Sequence, residues 1–343
     1  MSLLKYSVII IQGELSSLSN MNNSIKKLAI VIHTEEEFDW AGGFYRSNKS
    51  VSHGKELIHF CDALIAIGAK ITFALDYAFV QSEEGRLVIK HFLPRMNKDV
   101  EFATHLHPWV NPPHNDEIEP LERAVSGQYS FPGNLPKDAE FNKLKQLTDA
   151  IIEQTGHQPT TYLAGRYGIG ENTPEILSTL GYKVDVSISP FADFSSYQGP
   201  DFSVVSNHSY KRSGLMNIPH STGIVSLLPA LSRQLNNKPV LFKKWNNSLL
   251  GKIVFKLCKV DRYRLSPEGF NLHQMKQVTI ALADSGIDNL VFSFHSPSVK
   301  LGLTPYVESA VQFDTFLKST KRYIDWIKEN QKMKFSLVNE LKV

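Results

Sequence analysis

The sequence predicts an α/β fold, a distorted (β/α) barrel of about seven strands. Short β-rich runs alternate with amphipathic stretches along the chain, the pattern of βα units. Polar residues gather at the C-terminal ends of the strand candidates, where such barrels build their sites. No glycine-rich phosphate fingerprint follows the first strand, as an open dinucleotide-binding sheet would require. With 343 residues, 42% of them hydrophobic, the chain can bury a sizeable core.

The first strand candidate, 28–33, reads LAIVIH and runs into TEEEFDW, so His33, Glu35, Glu36 and Glu37 stand at its end. The next candidates are 70–77, carrying Asp76, and 99–107, which ends in His105 and His107. They are followed by 160–167 with Arg166 and Tyr167, 183–190 with Asp185, 215–221 with His220, and 289–296 with His295. Helical periodicity falls at 54–67, 79–93, 137–155, 172–180, 270–284 and 308–330, with GHQP and LGYK as helix-ending turns. No repeat or low-complexity linker interrupts the series, so one domain is expected over 27–330. An N-terminal extension, 1–26, precedes it and a tail, 331–343, follows. Met1 and Met21 are both open as the natural start, and no signal-peptide cleavage site stands out.

Composition excludes several classes. Lys+Arg 37 against Asp+Glu 34 gives no global attraction for nucleic acid, and no nucleic-acid-binding motif is present. Cys61 and Cys258 have no metal-ligand or redox spacing and read as reduced thiols of a cytoplasmic protein. No apolar run approaches the ~20 residues of a membrane span. One local bias stands out, a basic insertion at about 228–265. Within 241–260, Leu241, Phe242, Trp245, Leu249, Ile253, Val254 and Leu257 recur at helical spacing among Lys243, Lys244, Lys252, Lys256 and Lys259. Such a helix either makes a peripheral contact with an anionic membrane or packs on the barrel with its lysines in solvent.

Side chains two apart on a strand share a face, which pairs His33 with Glu35 and His105 with His107. Glu35, His105 and His107 are a reasonable ligand set for zinc or a similar divalent ion. Glu37 reads as a solvated loop acid. His295 is either a general acid or a histidine bonded to backbone at the barrel mouth. Trp109 and Tyr167 could stack on a sugar or simply pack.

The stretches HTEEEFDW, HLHPWVNPP, AGRYGIGENT, RLSPEGF and VFSFHSPSVKLGLTPYV, in this order over about residues 27–330, resemble the polysaccharide deacetylase, or NodB-homology, family. Within it they resemble the WalW-like proteins associated with lipopolysaccharide biosynthesis. The resemblance implies metal-dependent removal of N- or O-acetyl groups from carbohydrate, and a membrane contact through 241–260 would suit a lipid-linked glycan. It implies Glu35, His105 and His107 as metal ligands and His295 as the acid for the leaving group. Arg166, Asp185 and Asp76 would stand around the site.

Two departures from the family pattern are coupled. His33 occupies the place of an aspartate base, and Leu163 that of the arginine which orients it. Without the carboxylate, an arginine facing an imidazole gains little. Three outcomes are open. His33 is itself the base; or it becomes a further ligand, with Glu36 reaching in as base; or the barrel binds carbohydrate without turning it over.

Overall fold

The structure, a computed structural model, describes residues 26–329 and 333–342. The N-terminal extension and the choice between Met1 and Met21 lie outside the described residues. Seven parallel strands form the body of one curled sheet. In spatial order they are β10 (Asn289–His295), β1 (Lys26–Thr34), β2 (Ile71–Leu75), β3 (Val100–Leu106), β4 (Thr161–Ala164), β5 (Val184–Asp185) and β7 (Leu215–Asn217). An antiparallel edge strand, β6 (Tyr210–Arg212), follows β7, and β11 (Met333–Phe335) pairs with the start of β1. The expected α/β barrel-like architecture is therefore present, as a curled sheet with two edges. The crossovers are helical: α1 (Gly54–Ala66), α2 (Tyr77–Gln81), α3 (Glu83–Phe92), α4 (Lys137–Thr155), α5 (Thr173–Thr179), α9 (Leu272–Asp284) and α10 (Ala310–Glu329).

Strand alternation sets the two faces. Leu28, Ile30 and Ile32 join the outer core beneath the helices, with Phe73, Phe102 and Phe292. Ala29 and Val31 turn inward with Ala74, Ala103, Leu163 and Val184, forming an apolar floor inside the curl. Continuing the same alternation upward, His33 stands above Val31 and His105 above Ala103. Leu163 is fully buried in this floor. An arginine there would need a charged partner, and His33 is not one.

The open side of the curl is crossed by single chain segments. His220 N–H donates to the Ile188 carbonyl (2.8 Å), and Ser221 N–H to that of Val291 (3.4 Å). Leu265 N–H donates to Ser221 O (2.8 Å), and Ser293 N–H to Leu265 O (3.2 Å). This seam holds His220 inside the curl, although it follows a short strand with little pattern of its own.

Two regions differ from the sequence expectation. Residues 333–341, read as a tail, complete the fold: β11 pairs with β1, while Val338 and Leu341 close the floor. Buried Glu101 ties them down by accepting from Thr72 Oγ1 (2.9 Å) and Asn339 N–H (3.1 Å). The second region lies between two further strands, β8 (Thr222–Val225) and β9 (Asp261–Arg264), which pair antiparallel. It contains α6 (Pro229–Asn237), α7 (Pro239–Asn246) and α8 (Leu249–Leu257). The single amphipathic helix expected at 241–260 is broken after Asn246, where Ser248 caps α8 by accepting from Gly251 N–H. Leu241, Phe242 and Trp245 pack beside Phe255, whereas Leu249 (77% exposed), Leu250 (77%), Ile253 and Leu257 face out.

The loop after β3 is held by Lys143 of α4, buried and paired with Glu119 (3.1 Å). Its ammonium also donates to the carbonyls of Pro108 (3.1 Å), Asn111 (2.5 Å) and Pro113 (2.8 Å). Removing it strands an acid and three carbonyls, so Lys143→Met is expected to lose about 3–5 kcal/mol of stability. Urea unfolding of the variant beside the wild type measures the loss.

Candidate metal centre

The parallel register of β1 and β10 sets His33 opposite His295, with ring centroids 4.6 Å apart. From β3, His105 approaches His33 at 5.0 Å between centroids. Glu35 follows β1 and turns its Oε2 to within 3.2 Å of His105 Nε2 and 3.5 Å of His107 Nε2. His105 Nε2 and His107 Nε2 are 3.0 Å apart, and His33 Nε2 lies 3.3 Å from His220 Nε2. His33, Glu35 and His105 could hold a metal ion, since each offers one ligand atom and all three atoms lie within 4.8 Å of one another.

Hydrogen bonds on the far side of each ring decide which nitrogens are bare. His105 Nδ1 sits 3.1 Å from the Leu163 carbonyl and His220 Nδ1 2.6 Å from that of Val186. A carbonyl only accepts, so both Nδ1 atoms carry the proton and both Nε2 atoms present lone pairs. His107 Nδ1 is 2.9 Å from Glu36 Oε2, which accepts its N–H when Glu36 is ionised, and His295 Nδ1 is 2.7 Å from Glu268 Oε2. Burial pushes His33 and His220 well below the usual histidine range and lowers His105 and His107 as well, so the rings are neutral. Two bare Nε2 atoms at 3.0 Å repel unless a cation lies between them. Glu35 Oε1 is buried without a hydrogen-bond partner. Converging lone pairs and an unsatisfied carboxylate oxygen fit a divalent metal ion.

His295 differs from the other four. Burial opposes its charge, but the charges of Glu268 and Glu35 outweigh burial and raise it to about 9. It therefore carries a proton at neutral pH and lines a cavity of about 470 Å³ with Tyr167, Arg264, Glu268 and Tyr306.

The acids of the EEE run divide the work. Glu36 accepts from His107 Nδ1 through Oε2 and from Trp109 Nε1 (2.6 Å) through Oε1, so neither oxygen is free for the base role open to it in the sequence. Burial raises it to about 7, against the hydrogen bonds from Asp76 and Trp109. Asp76 caps α2 by accepting from Phe79 N–H (2.6 Å), and it also accepts from Glu36 N–H (3.3 Å). Glu37 is not a solvated acid. It accepts from His53 Nδ1 (2.9 Å) and Ser52 N–H (2.5 Å); burial opposes its charge, yet these bonds hold it at about 2. His53 Nε2 meets Ser296 Oγ (2.8 Å), which in turn accepts from Glu35 N–H (3.1 Å).

The remaining candidates separate. Tyr167 joins the centre, its hydroxyl 3.4 Å from His33 Nε2. Trp109 is fully buried and stacked on His107 at 4.2 Å, so it has no face to offer a sugar. Arg166 stacks on Phe131 (4.1 Å) and donates to Ser130 Oγ, bracing a loop. Asp185 points to the other face of its strand, where it accepts from Ser187 N–H (2.8 Å). His220 and Glu268 were given no role by sequence reasoning. The signals available were the histidine after the sixth strand candidate and the acid within RLSPEGF.

No protein family's sequence profile matches the chain, and no curated protein does. Solved structures do match in fold. One is the "probable Polysaccharide deacetylase from Pseudomonas aeruginosa PAO1", with TM-score 0.51 and 12% identity over 93% of this chain and 90% of that one. Another is Puue allantoinase, with TM-score 0.50 and 12% identity over 93% and 89%. At such identities the likeness is one of fold. Glu36→Ala or Trp109→Phe, which loosen His107 without removing an atom of the converging set, are expected to weaken divalent-ion affinity about 10–100-fold. Competition against a coloured chelator reads the change.

Proposed function

We propose that the protein is a zinc-dependent carbohydrate deacetylase, hydrolysing N- or O-acetyl groups in surface-polysaccharide or lipopolysaccharide assembly. The observation that carries this reading is the convergence of bare histidine nitrogens and Glu35 beside a cavity that also contains a protonated histidine. His33, Glu35 and His105 would hold the ion, with His107 Nε2 alongside. Such an ion supplies a Lewis acid for the acetyl carbonyl and lowers the pKa of water towards ~7.

The residues divide the proton traffic. His33, kept neutral by burial and by the neighbouring histidines and Arg264, is a poor proton acceptor and a good ligand. Burial opposes the charge of Glu35, yet His295, His105 and His107 hold it below the usual carboxylate range, so it stays ionised as a ligand. His295 is the acid: Glu268 fixes its Nδ1 and leaves Nε2 to protonate the departing amine or alkoxide. The replaced aspartate favours a second reading, a carbohydrate-binding barrel without turnover, which keeps the cavity and loses the chemistry.

The outward face of α8 supports action on a lipid-linked glycan at the cytoplasmic membrane surface. Leu249, Leu250, Ile253 and Leu257 are exposed beside Lys252, Lys256 and Lys259, an apolar stripe with a basic border. Among the described residues no helix is long and apolar enough to cross a membrane.

Protein purified without added metal is expected to retain about one divalent ion per chain, lost in Glu35→Ala and His105→Ala. No metal in the wild type, even after supplementation, would sink the hydrolase reading. On an acetylated oligosaccharide that is turned over, His295→Asn should slow acetate release about 10²–10⁴-fold. For the membrane contact, flotation with vesicles containing phosphatidylglycerol is the measure. Leu249→Glu/Leu257→Glu should abolish binding, because each leucine inserted contributes about 1.5–3 kcal/mol; binding that persists removes the lipid-surface assignment.

A further inference from the structure

We infer that the cavity beside His295 recognises an anionic group on the substrate, a carboxylate or a phosphate, gripped by Arg264. The inference rests on the deacetylase reading only in attaching that anion to an acetylated sugar.

Arg264 ends β9, the strand that brings the chain back from its 228–265 excursion, and it lines the cavity with Arg262 and His295. Its guanidinium lies over the Tyr167 ring at 4.6 Å, an arrangement that satisfies the flat face of the cation. The edge is another matter. Nε and Nη2 are both buried and neither has a hydrogen-bond partner. These two nitrogens form the side-on edge of the guanidinium, whose parallel N–H bonds match the two oxygens of a carboxylate or phosphate. Leaving both buried and unpaired is costly, and a turn of the side chain toward the cavity it already lines would bring the fork to a ligand's oxygens and remove that cost.

Among the described residues no acid is bonded to that edge. Glu268 is the one carboxylate lining the cavity, and both its oxygens are engaged. Oε1 accepts from His295 N–H (3.0 Å) and Ser298 Oγ (2.5 Å), and Oε2 accepts from His295 Nδ1 (2.7 Å). Arg262 is also occupied in part, donating to the Phe191 carbonyl (2.5 Å). The wall therefore carries more positive than negative charge, with one guanidinium fork unspent. The cavity's 470 Å³ falls within the ~300–1,000 Å³ range of small-molecule sites, and Phe194, Phe270 and Tyr306 supply apolar surface for a ring.

The test is calorimetric binding of inorganic phosphate and of glucuronate to the wild type, Arg264→Gln and Arg264→Lys, at fixed ionic strength. Both anions are expected to bind the wild type and to lose about 10–100-fold in affinity in Arg264→Gln. Arg264→Lys, which keeps the charge and loses the fork, should fall between them. Stronger loss for one anion than the other identifies the source, sugar phosphate or uronic acid. The same Arg264 comparison in the His105→Ala background separates this inference from the metal reading, since an arginine-dependent affinity should survive there. Unchanged affinity in Arg264→Gln, or no binding of either anion to the wild type, overturns the proposal; unaltered circular dichroism and metal content in the variant exclude misfolding as the cause of a loss.

Discussion

Bare imidazole nitrogens repel one another when they converge on a buried point, and the architecture around the barrel mouth is organised to keep them converging. Four of the five rings are fixed from behind. His105 and His220 donate to backbone carbonyls, His107 to Glu36, and His295 to Glu268. The backbone partners, the carbonyls of Leu163 on β4 and Val186 just after β5, are themselves held by the sheet, so a ring that turns away gives up its hydrogen bond. The carboxylate partners are themselves held, Glu36 by Trp109 and Glu268 by Ser298. Repulsion among the lone pairs is thus maintained by the fold, and a cation is the species that turns it into attraction.

The two carboxylate partners give their histidines different characters. Glu36, deep behind His107 and next to Asp76, is raised towards neutrality by burial, and His107 stays uncharged. Glu268 faces a cavity, and with Glu35 it holds His295 charged. Similar side-chain pairs therefore yield a neutral imidazole in one place and an imidazolium in the other. Depth of burial rather than the number of nearby acids decides which, since His107 has Glu35, Glu36 and Asp76 within 3.7 Å and still stays neutral.

Much of this was legible in the sequence. The seven parallel strands and their helical crossovers follow from runs such as 28–33 and 99–107, because buried strands and amphipathic helices differ in period. Alternation also aligned His33 with Glu35 and His105 with His107. What escaped has a common physical reason: residues whose roles depend on long-range closure rather than local pattern. His220 is held by a seam of single hydrogen bonds, and residues 333–341 pair with a strand three hundred positions away. Glu36, on the turn after β1, reached His107 because the chain leaves strand geometry there. The 241–260 segment kept its helical period but not its unity, since Ser248 starts a new helix and splits one apolar face into a packed half and an exposed half.

Glu37, His53, Ser296 and the Glu35 amide form a relay of contacts from a surface loop, across the start of α1, to the first residue after β10 and back to the backbone of Glu35. The relay makes the three chain segments one mechanical footing. The footprint that selection must preserve is consequently wider than the cavity wall. Tolerance to change at 37 or 53 is governed by the alignment of a carboxylate two residues from one of them and far in sequence from the other.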